Sequence, residues 1–153
     1  MSKRVAGLLA LVSLLAAACS ASTSACDFVS TQAIESILGE TAVETFSFEQ
    51  LDECVFSSEA DPSRRIELRI ESVPDAQIFV EHAIEATDPN RVQTLDDLGD
   101  GAVLFEDEAV LGRIDNLAVL ITGTVDMQDL IPVLTETLDG LEASTHDNSN
   151  STR

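Results

Sequence analysis

An α+β domain built on an antiparallel sheet is the fold class the sequence predicts, and three patterns predict it. Ile66, Leu68 and Ile70 alternate with Glu67, Arg69 and Glu71, the two-residue period of a strand with one wet face. Ala33 to Leu38 and Ala76 to Ile84 carry apolar residues at helical spacing. Val103 to Thr122 holds three apolar runs parted by short polar turns, as in an antiparallel meander. The expected architecture is an antiparallel sheet of about five strands with three helices packed on one face, in the order α-β-β-α-β-β-β-α, with one disulfide.

The elements follow in chain order. Ser30 can cap a first helix, with Val29 and Ile34 at the staple positions, a stripe of Ala33, Ile34, Ile37 and Leu38, and Gly39 as the stop. Val43 to Leu51 is ambiguous between periods. Cys54-Val55-Phe56 reads as a short strand before the turn residues Asp61-Pro62-Ser63, and the clear strand around Ile66 to Ile70 comes next. Pro74 in the first turn opens a second helix whose Ala76, Phe79, Val80, Ala83 and Ile84 should face a core, ending before Asp88-Pro89.

Val103 to Phe105, Ala109 to Ile114 and Leu117 to Thr122 are expected strands, the last two joined by the two-residue turn Asp115-Asn116. The final helix shows Leu130, Val133, Leu134, Leu138 and Leu141 on one stripe. Proline inside a helix costs about 3 kcal/mol, so this helix is expected to start at Asp129 as cap, with Pro132 in the first turn where no N–H is missed. The domain thus runs from 26 to 141, and 142–153 is expected to be a mobile polar tail.

The start of the chain carries an address. Lys3 and Arg4 precede an apolar run from Val5 to Ala18, followed by small and hydroxyl residues, which is the layout of an export signal over 1–18. The run is about fourteen residues, short of the roughly twenty a membrane-crossing helix needs. Ala16-Ala17-Ala18 suits ordinary secretory cleavage, whereas Leu15-Ala16-Ala17-Ala18-Cys19 resembles a bacterial lipobox in which Leu15 sits one place early. Both cut before Cys19.

Three cysteines cannot all pair in an oxidising compartment. If Cys19 carries lipid, Cys26 and Cys54 remain as an even pair able to form one disulfide, and residues 19–25 form a lipidated tether. The alternative is a soluble secreted protein with an odd thiol at its N-terminus.

Cleavage removes two of the eight basic residues, leaving six Arg against 28 Asp and Glu, a formal charge of −22. Such a surface repels nucleic acid and anionic head groups, so no nucleic-acid partner is expected. The recurring Ile, Leu and Val blocks and a slightly positive mean hydropathy still support a folded core. With no Trp or Tyr and six Phe, that core is aliphatic.

The layout resembles a family of actinobacterial cell-envelope lipoproteins of unknown function. In that family a Cys precedes a short helix ending in Leu-Gly, matched here by Cys26-Asp27-Phe28-Val29-Ser30 through Leu38-Gly39. A second Cys opens the next strand, matched by Cys54-Val55-Phe56. A Leu-Gly-Asp-x-Ala step into a meander and a closing helix correspond to Leu98-Gly99-Asp100-Gly101-Ala102 and the stretch from Asp129 to Leu141. The resemblance covers nearly the whole mature domain and implies no catalytic residues.

Motif chemistry is sparse. Asp96, Asp100, Gly101 and Asp107 stand at the first, fifth, sixth and twelfth places of an EF-hand loop, making Asp96, Asp100 and Asp107 a calcium candidate. Leu98 at the third place and the strands that follow speak for two solvated turns instead. His82 and His146 share no zinc spacing, and no Gly-x-Ser-x-Gly elbow or Ser-x-x-Lys occurs. No Lys follows the signal. Arg64-Arg65 could meet an anion, yet beside Asp61 and Glu67 reads more simply as a solvated turn.

No cofactor is expected. The function expected is a membrane-anchored, non-catalytic binding module of the cell envelope, its partners the membrane through the N-terminal lipid and an envelope protein or small ligand. The alternatives are an extracytoplasmic enzyme using paired carboxylates and a carrier of an apolar ligand.

Overall fold

The computed structural model describes residues 24–39, 43–48 and 53–150. The expected export signal, Cys19 and the expected tether up to residue 23 lie outside the described residues. Among the described residues three helices, α1 (Thr31–Leu38), α2 (Ala76–Glu85) and α3 (Ile131–Asn150), accompany seven strands. These are β1 (Val43–Phe48), β2 (Glu53–Ser58), β3 (Arg65–Ser72), β4 (Val92–Leu95), β5 (Gly101–Phe105), β6 (Ala109–Ile114) and β7 (Leu117–Gly123).

The strands form one antiparallel sheet in the order β1-β2-β3-β7-β6-β5-β4. Two meanders meet at its centre, where β3 pairs with β7 in a register that sets Leu68 beside Ile121 and Arg69 beside Leu120. The chain leaves β3, crosses through α2 to the far edge at β4, and returns strand by strand to β7. The α+β class and the antiparallel sheet are as the sequence predicts. The strand count is higher than five because Val43–Phe48 of the ambiguous stretch forms β1, its residues 49–51 lying outside the described ones, and because β4 adds an edge. β4 has four residues of which only Leu95 is buried, too little pattern to read as a strand.

Pleat parity divides the side chains of the sheet between two cores. On the inner face Cys54, Phe56, Ile66, Leu68, Ile70, Leu104, Val110, Val119 and Ile121 pack against Ile34 and Leu38 of α1 and Val133, Leu134, Leu138 and Leu141 of α3. On the outer face Val103, Phe105, Ala109 and Leu111 pack against Val80 of α2. The three helices therefore do not share one face: α2 lies on the side opposite α1 and α3. β5 and β6 are near-continuous apolar runs, so both of their faces need cover. β2 and β3 alternate and need it on one face only.

Local chemistry sets the ends. The Ser30 hydroxyl accepts from the Ala33 N–H at 3.2 Å, and Gly39 closes α1 in the left-handed region at φ 73°. Asp75 caps α2, accepting from the Ile78 N–H at 3.0 Å, so Pro74, expected in the first turn, precedes the helix. Ala76 and Val80 face inward, but Phe79, expected in the core, is 38% exposed and Ile78 47%. One residue is 100° of helix, so Phe79 turns away when Val80 points at the sheet.

Before α3 a 3-10 turn, Met127–Leu130, is capped by Asp126 rather than Asp129, and Pro132 lies in the first helical turn. α3 continues to Asn150, so residues 142–150, expected in a mobile polar tail, are helical. Within α3, Gly140 serves close packing, since a Cβ there would lie 3.2 Å from Phe28 Cδ1.

The N-terminal end is tied in. Ser24 closes a capping box over the 3-10 turn Ala25–Phe28, with its N–H donating to Asp27 Oδ2 at 2.8 Å. Ser24 and Ala25, expected in the tether, belong to the fold, and Ala25 is 2% exposed. The Cys26–Cys54 disulfide joins this turn to β2 across a Cα–Cα distance of 5.2 Å. Among the described residues no helix is long and apolar enough to cross a membrane.

Candidate functional site

The acidic loop singled out by the sequence is drawn apart by the sheet. Asp96 follows β4 and Asp100 precedes β5, at the end of the sheet that carries the β6–β7 turn. Asp107 lies in the β5–β6 turn at the other end, with φ 60°. At about 3.3 Å per residue along β5, Asp100 and Asp107 stand roughly 20 Å apart. The calcium set Asp96, Asp100 and Asp107 is therefore not assembled. Among the described residues no group of three or more His, Cys, Asp or Glu could hold a metal ion. An EF-hand closes because a helix follows its loop; here the residues after Gly101 extend into a strand.

Asp100 has a structural role instead. Its carboxylate accepts from the Asp115 N–H at 2.7 Å, and its own N–H donates to the Arg113 carbonyl at 2.9 Å. Asp115 has φ 52° in the hairpin turn, so the carboxylate holds a backbone that L side chains seldom adopt. Gly99, at φ 52°, is needed beside it, because a Cβ would come within 2.5 Å of the Arg113 carbonyl oxygen.

This loop forms one wall of an open cleft of about 350 Å³ with Asp97, Asp115, Asp139 and Glu142 on its lining. Asp139 also borders a shallower groove of about 600 Å³ between α3 and the segment Asp27, Phe28, Val29 and Ser30. There Glu136 accepts from both the N–H (3.0 Å) and the hydroxyl (3.2 Å) of Ser30, fastening α3 to the start of α1. A third cleft of about 370 Å³ at the other end of the sheet combines Leu104, Val125 and Met127 with Glu106, Asp107 and Asp126. All three are open to solvent and edged by carboxylates.

Arg64, Arg65 and Arg91 are engaged. Arg64 donates to the carbonyls of Leu38 at 2.6 Å and Ile37 at 3.1 Å, capping the C-terminus of α1. Arg65 pairs with Glu67 at 3.0 Å, so Arg64-Arg65 is not presented as a joint anion site. Arg91 donates to the Glu106 carbonyl at 2.8 Å and pairs with Glu108 at 3.2 Å, bracing the β5–β6 turn. His82 is exposed on α2, as its spacing suggests. In the β2–β3 turn the Ser63 hydroxyl and N–H donate to Asp61, which with the nearby Arg64 charge holds that carboxyl below its ordinary range.

Sequence reasoning misses the uneven cover of the outer face, although its signal is present. β5 and β6 lack the alternation of β3, so a helix sits on one half of that face, while among the described residues the other half is open. The open half carries the pairs Arg65–Glu67, Arg69–Glu53 (3.3 Å) and Arg69–Glu71 (3.6 Å) around a small recess of about 140 Å³ floored by Leu120 and Thr122. Comparison with protein-family models, with curated proteins and with solved structures finds no match for this chain.

Proposed function

We propose that the chain is an extracytoplasmic lipoprotein, anchored by lipid on Cys19, whose folded domain is a non-catalytic binding module of the cell envelope. The observation that carries this reading is the Cys26–Cys54 disulfide. It fits an oxidising compartment and takes two of the three cysteines, so the count leaves Cys19, directly after the signal-like run, as the odd one. The resemblance to actinobacterial envelope lipoproteins points the same way.

The domain's polar side chains support binding over catalysis. Asp100, Glu136, Arg64 and Arg91, the groups best placed by type to do chemistry, each hold a turn or a helix end. The aliphatic side chains that a carrier of apolar ligands would line a cavity with pack against one another between the sheet and α1 and α3. An envelope protein or a small polar ligand meeting the clefts remains the partner class proposed.

Intact-mass analysis of the chain purified from the membranes of a host that processes lipoproteins tests the anchor. The expected result is a mature N-terminus at Cys19 heavier by a diacylglyceryl group, with Cys19→Ser releasing the protein to the soluble fraction. An unmodified Cys19 on a soluble mature chain would overturn it.

A further inference from the structure

The sheet ends at β4 in a free edge. The Glu106 N–H donates to the Arg91 carbonyl at 2.9 Å. The β4–β5 register sets Arg91 opposite Glu106, which makes theirs a hydrogen-bonded pair, so Gln93 and Leu95 bond to β5 at the alternate pairs that follow. The N–H and C=O groups of Val92 and Thr94 therefore point out of the sheet, and among the described residues nothing bonds them. Native sheet edges usually carry a charge, a proline or a bulge that blocks pairing. Val92, Gln93, Thr94 and Leu95 have neither charge nor proline, in a chain where 24% of the residues are charged. A cleft lies beside this edge. Leu104, opposite Gln93 in the ladder, and Gln128, whose Nε2 donates to Gln93 Oε1 at 3.3 Å, both line the cleft of about 370 Å³ that Glu106, Asp107 and Asp126 border. On the other face Val92 packs at the margin of the core under α2.

We propose that β4 receives an extended segment of a basic partner protein as an added strand, with apolar side chains opposite Val92 and Thr94 and a Lys or Arg opposite Gln93 that reaches into the cleft. This names the partner of the binding module and rests on that reading, but not on the lipid anchor. Val92 and Thr94 offer such a strand up to four main-chain hydrogen bonds, which give affinity whatever its sequence. Alternation sends the residues opposite Val92 and Thr94 to the outer face, where an apolar side chain extends the cover of Val92, and the residue opposite Gln93 to the inner face. The Cα of that residue lies two strand spacings, or about 10 Å, from that of Leu104, a span that a Lys or Arg side chain and one hydrogen bond cover.

Charge selects the cation. Glu106, Asp107 and Asp126 border the cleft, Glu108 belongs to the same turn, and Asp96 and Asp97 follow β4. Against them stands Arg91, which is committed to Glu108 and to the Glu106 carbonyl. The edge and its cleft are thus left with an excess of negative charge that attracts a basic segment and repels both an acidic peptide and a second copy of this chain. Arg91 disfavours a further cation at the position opposite itself. With four residues, the edge supports a weak and transient contact rather than a permanent complex.

Fluorescence anisotropy of a labelled peptide, Val-Lys-Val-Lys-Val-Ser, against the full chain as its host processes it, in nonionic detergent, reads the binding. Laid antiparallel to β4, this peptide sets Val opposite Thr94 and Val92, Lys opposite Gln93 and Ser opposite Arg91. It should bind with a Kd below about 1 mM. Val-Glu-Val-Glu-Val-Ser reverses the charge, and Pro-Lys-Pro-Lys-Pro-Ser keeps it but lacks the N–H groups; each should bind at least about tenfold more weakly. Hydrogen exchange should slow at the Val92 and Thr94 amides when the first peptide is bound. Thr94→Pro removes an outward N–H without touching a bond to β5 and should abolish binding. Circular dichroism verifies that this variant is folded; if it is not, Glu106→Gln with Asp107→Asn decides, and should weaken binding about tenfold. No binding at about 1 mM, equal binding of the proline peptide, protection elsewhere than at Val92 and Thr94, or binding indifferent to these variants overturns the proposal. None of these outcomes bears on the anchor, which the mass of the Cys19 end tests by itself.

Discussion

Removing the Cys26–Cys54 disulfide, by replacing both cysteines with Ala, should lower the stability of the domain by about 3.6 kcal/mol. The bond closes a loop with a sequence separation of 28. In the chain-entropy account, a loop of that length costs the unfolded ensemble about 12 cal/mol/K, or about 3.6 kcal/mol at 25 °C. A folded unit of roughly 125 residues unfolds with an entropy near 0.26 kcal/mol/K, so Tm should fall by about 14 °C. The effect has a local part too. Cys26 holds the turn that buries Ala25 and sets Phe28 against Gly140, while Cys54 is fully buried in β2. Calorimetry of the oxidised protein against the double variant, each carrying Cys19→Ser, measures the loss. Hydrogen exchange at the Asp27 N–H, bonded to the Ser24 carbonyl at 2.9 Å, reports the release of the N-terminal turn. A fall of under about 3 °C with Asp27 still protected would show that packing alone docks this segment and would refute the entropic account.

Arg64→Ala should cost about 1–2 kcal/mol by leaving the carbonyls of Ile37 and Leu38 without the guanidinium that caps them, read as a lower urea midpoint at unchanged m-value. Asp100→Ala should destabilise the β6–β7 hairpin by about 1 kcal/mol, because the Asp115 N–H loses its acceptor. Calcium at millimolar concentration should leave the Tm of the wild type unmoved, since Asp107 is at the far end of β5 from Asp100; a rise that disappears with Asp100→Ala would contradict this placement. Asp61 should titrate below the ordinary Asp range in an NMR experiment, the hydrogen bonds from Ser63 being the first cause. Its folded value being depressed, the turn's stabilisation is present above the unfolded value and lost as pH falls through the folded one, and Ser63→Ala should return the titration toward 3.8.

Much of the fold is legible along the chain because the forces that write it are short-ranged. Ser30 and Gly39 bound α1 through one hydrogen bond and one left-handed residue, and the alternation from Ile66 to Ile70 states both the strand and its wet face. The disulfide follows from counting cysteines after an export-like start. The extra strands were harder to read: β4 is short and at the edge, and its identity comes from pairing Val92 with Phe105 and Leu95 with Ala102 rather than from its own pattern. The role of Gly140 shows only when Phe28, over a hundred residues earlier, is found against it.

The sequence by itself determined the class of the domain, the two ends of α1 and the wet face of β3, because each depends on residues within a turn or two of one another. The tertiary structure alone decided which face α2 covers, that Asp100 meets Asp115 while Asp107 is carried to the opposite end of β5, and that Arg64 serves α1 rather than a ligand. Those outcomes depend on how strands distant in sequence pair across the sheet. A one-residue pleat or a five-residue strand then places a side chain on the other face or some 20 Å away.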